Sequence, residues 1–161
     1  MKRHLFALFP VVALVAACTS QPMTVPVSVA DTIARDPQLS TLDSLVRQSG
    51  LAETLKSGGP YTLFAPTNEA FKAVPSKTMD ELAHDPARLK DVLSYHVLAA
   101  RMMAAEVKNG SAKTTQGATV ALSKAGDFVT VEEAMVQQAD IVASNGVVHT
   151  VDRVLMPPVR R

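Results

Sequence analysis

The chain has 161 residues, a formal charge of +1, a single cysteine, no tryptophan and no low-complexity block or internal repeat. One cysteine excludes an internal disulfide framework, so the fold has to rest on its apolar core. The balanced, dispersed charge excludes the clustered basic surface that a nucleic-acid binder needs.

The N-terminus predicts export. Lys2-Arg3-His4 is a positive n-region, Leu5 to Ala17 is an apolar run too short to span a bilayer, and Val15-Ala16-Ala17 sets small residues before Cys18. The reading is a signal peptide over residues 1–17. The cluster at Cys18 resembles a bacterial lipobox, with Val15 in place of the commoner leucine. That resemblance implies acylation of Cys18 as the first mature residue and, with Thr19 after it, the outer membrane if the source is Gram-negative. The alternative is ordinary secretion with an incidental Cys18. Without Lys2 and Arg3 the formal charge falls from +1 to −1. Residues 18–28, with Pro22 and Pro26 among small polar residues, read as a tether that stands a domain of residues 29–158 off the membrane.

Helices are expected first. Ser40-Thr41-Leu42-Asp43 reads as a capped start with Leu42, Leu45 and Val46 as the inward stripe and Gly50 as the stop. Leu51 to Lys56 gives a short second helix, ended by Gly58-Gly59-Pro60. Leu63-Phe64-Ala65 is an apolar run suited to a strand covered on both faces, and Pro66 ends its ladder. Thr67 is placed to cap a helix beginning at Asn68, Glu69 complements its dipole, and Ala70, Phe71 and Val74 face inward. Thr78-Met79-Asp80-Glu81 reads as a capping box. Asp85-Pro86 opens another helix carrying Leu89, Val92, Leu93 and His96 on one stripe.

Strands follow. Thr119–Leu122, Phe128–Val131, Ala139–Val142 and the block from Asn145 to Leu155 are separated by turn signals at Gly117, Gly126-Asp127 and Asn145-Gly146. Helices before strands predict an α+β domain.

Candidate chemistry is sparse. His84, His96 and His149 lie in no short ligand spacing, which gives no expectation of a metal or other cofactor. Ser94 near Asp91 and His96 has no nucleophile elbow, and helical spacing explains it more simply. Gly58-Gly59-Pro60 places a proline where a phosphate cradle needs N–H donors. His149 alternates with Val147 and Val151, which points it to an apolar face as a hydrogen-bonded structural histidine. Met102-Met103 reads as core filler rather than an adaptable binding surface, and Glu132-Glu133 as solvated charge.

Three blocks in order, Tyr61 to Phe71, Tyr95-His96-Val97-Leu98 and Asn145 to Leu155, resemble the fasciclin-like domain, with its first motif, its Tyr-His motif and its second motif. Thr67, Asn68, Phe71, His149 and Asp152 fall on the structural positions of those motifs. The resemblance implies a wedge-like pair of β-sheets flanked by several short helices. It also implies a non-enzymatic adhesion or interaction module that binds a protein or cell-surface partner, with no enzymatic role. For Tyr95 and His96 it implies a recognition role, while the residues alone are read first as structural, a packed ring and a histidine at a helix C-terminus whose partial negative charge favours it. The other reading of the whole is an envelope lipoprotein that holds a small apolar ligand or an exported polypeptide. An interaction module should present an exposed apolar patch near Tyr95, and a carrier should enclose an apolar pocket. Nothing in the sequence sets the oligomeric state.

Overall fold

The computed structural model describes residues 27–158. Cys18, the expected signal peptide and the expected tether up to residue 26 lie outside the described residues. Val27 and Ser28 already belong to the fold. The Ser144 N–H donates to the Val27 carbonyl at 2.7 Å, and the Ser28 hydroxyl caps helix α1 (Val29–Arg35) by accepting from Asp31 N–H.

Helix α2 (Ser40–Gln48) buries Leu42, Leu45 and Val46 as its spacing predicts. Its start corrects the Ser40 cap. Ser40 is already helical, and it is Asn68 Oδ1 that accepts the Thr41 N–H at 3.0 Å. After α3 (Ala52–Ser57), strand β1 (Tyr61–Pro66) leads directly into α4 (Asn68–Lys72), where Thr67 accepts from Ala70 N–H at 3.3 Å. Helix α5 (Ser76–His84) starts after Pro75, so Thr78 lies inside it and the capping box does not form. Glu81 instead pairs with Arg88 at 3.0 Å. Helix α6 (Pro86–Tyr95) has the expected cap, Asp85 Oδ1 accepting from Ala87 and Arg88.

The remaining strands are β2 (Val97–Leu98), β3 (Gly110–Lys113), β4 (Thr119–Ala125), β5 (Phe128–Val131), β6 (Ala134–Ala143) and β7 (Gly146–Val151), giving the sheet order β2-β1-β7-β6-β5-β4-β3, with 3-10 turns at Pro37–Leu39 and Ala104–Glu106. β1 and β7 run parallel from Tyr61↔Gly146 to Pro66↔Val151, and all other pairings are antiparallel. Both central strands are buried nearly throughout, which is why their sequences read as apolar runs rather than alternations. A Cβ at Gly146 would overlap the Tyr61 carbonyl oxygen, so only glycine lets the two strands pair there.

β6 makes two sheets out of one ladder. It meets β5 only at Ala134 and Met135, then shifts register twice along β7, with Asp140 in the left-handed region at φ 59°. The two halves splay into a wedge whose outer edges meet again at a bridge between Leu98 and Thr114. One core, containing Ile33, Leu42, Leu55, Leu63, Leu89 and Val148, lies between the helices and the β1–β7 half. The other, with Phe64, Tyr95, Leu98, Val120, Val131 and Val151, fills the wedge. The α+β wedge with flanking helices is thus the architecture of this chain.

Candidate functional site

The three motifs converge on one row, with Phe64 from the first motif, His96 from the Tyr-His motif and His149 from the second. Phe64 N–H donates to the His96 carbonyl at 2.9 Å, and Phe64 is also the register partner of His149, on whose imidazole its ring stacks with centroids 5.6 Å apart. His96, the residue between α6 and β2, therefore lies in one row with Phe64 of β1 and His149 of β7.

Both histidines spend both nitrogens on main chain. His96 is completely buried. Its Nε2 accepts from the Leu155 N–H at 2.9 Å, which leaves the proton on Nδ1 to donate to the Val92 carbonyl at 2.8 Å. Burial lowers its pKa from 6.5 to about 4, outweighing the Val92 bond that favours the charged form. The expected benefit from the helix C-terminus is thereby overridden. His149 has the opposite tautomer. Its Nδ1 accepts from Asp140 N–H at 3.1 Å and its Nε2–H donates to the Met102 carbonyl at 2.9 Å. Burial again pushes its pKa down, against the Met102 bond and the Asp140 charge. A serine-hydrolase reading of Ser94 fails on this geometry, because His96 has no nitrogen left to serve as a base.

Tyr95 is 3% exposed, with its ring in the wedge core. Its hydroxyl donates to the Thr119 carbonyl at 3.2 Å and lies 3.4 Å from Glu132 Oε1. Burial first, then the Glu132 charge, raises its pKa. Glu132 is more than solvated charge, since the same oxygen accepts from Ala121 N–H at 2.7 Å. Neither Tyr95 nor His96 presents contact area to solvent.

The other motif residues act as joints. Asn68 ties the start of α2 to α4 and donates to the Pro37 carbonyl at 2.9 Å. Phe71 is 7% exposed in the helical core. Asp152 Oδ1 accepts from Met135 N–H at 2.7 Å, closing β6 against the end of β7. Sequence reasoning passed over Asn145 as a turn residue. Its Oδ1 accepts from Val29 N–H and its Nδ2 donates to the Leu55 and Gly58 carbonyls, all within 2.8 Å, joining α1, α3 and β7.

Thr62 and Asp140 were also missed. The Thr62 hydroxyl donates to the Ala100 carbonyl at 2.6 Å and accepts from Met102 N–H at 2.8 Å, while Asp140 Oδ1 accepts from Ala104 N–H at 2.7 Å. With His149 they pin the segment after β2. Asp140 takes the left-handed region that aspartate tolerates, but in sequence it reads only as part of the Ala139–Val142 strand. Beside that segment lies a cleft of about 750 Å³ bounded by Tyr61, Leu98, Ala100, Met102, Ala112 and Lys113. Four further clefts are likewise open to solvent, and the wedge interior is occupied by side chains. The large exposed apolar side chains among the described residues are Phe128 on β5, Met135 and Val142 on β6, and Met156 after β7, whereas Tyr95 itself is buried. Among the described residues no cluster of histidine, aspartate and glutamate could hold a metal, and no helix is long and apolar enough to cross a membrane.

Residues 37–157 match the Fasciclin domain family. The chain is 36% identical over 144 residues to protein sll1483 of Synechocystis, spanning 88% of this chain and 78% of that one. It is 39% identical to the immunogenic protein MPB70 of Mycobacterium bovis, spanning 83% and 69%. Against the pig transforming growth factor-beta-induced protein ig-h3 the identity is 35%, and the match spans 83% of this chain but only 20% of that much longer protein. Among solved structures, a FAS1 domain pair from the insect cell adhesion molecule fasciclin I superimposes with a TM-score of 0.66 over 81% of this chain and 51% of that one, at 14% identity. Family match, relatives and wedge agree: this chain belongs to the fasciclin domain family.

Proposed function

We propose that the protein is a non-enzymatic interaction module, exported through the signal peptide of residues 1–17 and held at the cell envelope by lipid on Cys18. The observation that carries the first half is the consumption of His96, His149 and the Tyr95 hydroxyl in internal hydrogen bonds, which leaves the motifs shape rather than chemistry to offer a partner. Tyr95 and His96 then serve recognition by fixing the β2 edge and the mouth of the wedge, not by touching the partner. Two likenesses support the location. A relative at 37% identity is a cell surface glycolipoprotein, MPB83 of Mycobacterium bovis, of which the match spans 60%. The insect protein with the same fold is named a cell adhesion molecule.

Fractionation of a bacterial host expressing the wild type and Cys18→Ser tests the anchor. Wild type should sediment with membranes and carry acyl mass on a chain starting at Cys18, while Cys18→Ser should be released with an unchanged melting curve. An unmodified Cys18 in the envelope form contradicts the anchor. For the interaction itself, labelled protein should bind the surface of intact cells saturably, and purely linear, non-displaceable uptake contradicts it.

A further inference from the structure

β3 is an uncovered sheet edge with a defined phase. Thr114 N–H donates inward to Ala118 at 2.9 Å, whereas Thr115 N–H donates outward to Val97 at 2.8 Å. Direction alternates along an antiparallel strand, so the main-chain groups of Ser111 and the N–H of Lys113 point away from β4. The chain across from them cannot pair. Thr62 holds Ala100 and Met102, and His149 holds Met102 as well, which draws that segment toward β1 and β7. The Leu98–Thr114 bridge is therefore the apex from which two edges diverge, and the opening between them is the 750 Å³ cleft.

Its walls suit a backbone. Ala99, Ala100 and Ala112 keep the groove shallow enough for a chain to approach β3, and Tyr61 and Met102 supply apolar contact. Its charge is of one sign. Lys113 lines this cleft and Arg101 the neighbouring one, no carboxylate lines either, and neither cation belongs to an ion pair among the described residues.

We infer that this cleft receives an extended, acidic polypeptide segment, which adds to β3 as a further strand through Ser111 and Lys113. Main-chain pairing supplies the affinity, and Lys113 and Arg101 select acidic side chains. The inference rests on the interaction reading and names its partner class. A lysine on an edge strand is also a common guard against such pairing, and the experiment separates the two.

The full chain in mild detergent would be titrated, by fluorescence anisotropy, with a blocked peptide alternating valine and glutamate. The comparison peptides carry lysine for glutamate, or N-methyl groups on alternate amides. The acidic peptide should bind at least roughly tenfold more tightly than either. Ser111→Pro, which removes an outward N–H without touching the β4 ladder, should weaken it by a similar factor. Arg101→Glu combined with Lys113→Glu should invert the preference between acidic and basic peptides. Equal binding of the N-methylated peptide overturns the added strand without requiring any variant to fold, and absence of binding marks the edge as guarded. Saturable cell-surface binding that survives Ser111→Pro unchanged would reject the cleft while leaving the interaction module standing. A wild type that binds the peptide but no surface would reject the module instead.

Discussion

Thr67 and Phe71 fix the same helix by different means, the first by satisfying a free N–H at its start, the second by burying a ring one turn later. Thr67→Ala should cost about 1 kcal/mol and Phe71→Ala roughly 3–5 kcal/mol, read from denaturant midpoints at constant m. Tyr95→Phe should cost about 1 kcal/mol, through the lost bond to Thr119. Surface binding should then fall only in proportion to unfolding, and a larger loss at an unchanged melting temperature would assign the hydroxyl to the partner. Thr67, Asp85 and Phe71 were legible in the sequence because a cap or an apolar stripe is a local arrangement. Ser40 carried an equally good local signal, but Asn68, 28 residues away, satisfies the helix start and leaves the serine inside the first turn. Thr78 was misread because Pro75 starts its helix sooner. Tyr95 and His96 could be placed at a helix end, yet their burial depends on strands and a C-terminal segment that pack over them from elsewhere in the chain.

At the scale of elements, the stretch between β2 and β3 carries the most consequence. Its regular structure is a 3-10 turn over Ala104–Glu106, and it is held by Thr62, His149 and Asp140 together with Lys124, whose Nζ donates to the Ala104 and Ala105 carbonyls. Thr62→Val keeps the shape of the side chain and removes the oxygen, leaving Met102 N–H and Ala100 C=O without that partner. It should cost about 2 kcal/mol, and amide exchange of residues 100–104 should accelerate before that of the cores. Exchange accelerated equally everywhere would show that the segment is not held by this peg. Neither this segment nor β3 was visible in sequence, since Gly-Ser-Ala-Lys has no apolar alternation and every residue of β3 is at least partly exposed. β5 was found with its correct bounds because Val129 and Val131 alternate with outward residues. β6 was found only over Ala139–Val142, four of its ten residues. Its two register shifts break the period of two on which strand reading depends. Helix α1 is short, and its cap at Ser28 lay in what read as tether.

For the whole molecule, the two histidines bind parts that would otherwise separate. His96 fastens the end of α6 to Leu155 in the C-terminal segment, and His149 fastens β7 to the segment beyond β2 and to the bulge of β6. Both must be neutral, because each accepts an N–H on one nitrogen and a proton there would displace it. An unfolded histidine titrates near 6.5, whereas His96 in the fold titrates near 4. Above pH 6.5 neither state is protonated and the stability is fully present. As pH falls from 6.5 to about 4 the unfolded chain takes up a proton that the folded one refuses, so stability declines, by on the order of 3 kcal/mol for His96, and below about 4 this loss is complete. His149 adds a loss of the same sign. Asp31, whose carboxyl is held below its usual value of 3.8 chiefly by the Ser28 hydroxyl, contributes only at still lower pH, so the windows separate. Denaturant midpoints should therefore stay level from pH 7.5 to about 6.5 and fall from there to pH 4.5 in the wild type. His96→Gln cannot titrate, and whatever its absolute stability its profile should be flatter over the same range. A wild-type profile that is level from pH 6.5 to 4.5, or a His96→Gln profile as steep as wild type, would mean that His96 is not the neutral joint between α6 and the C-terminal segment.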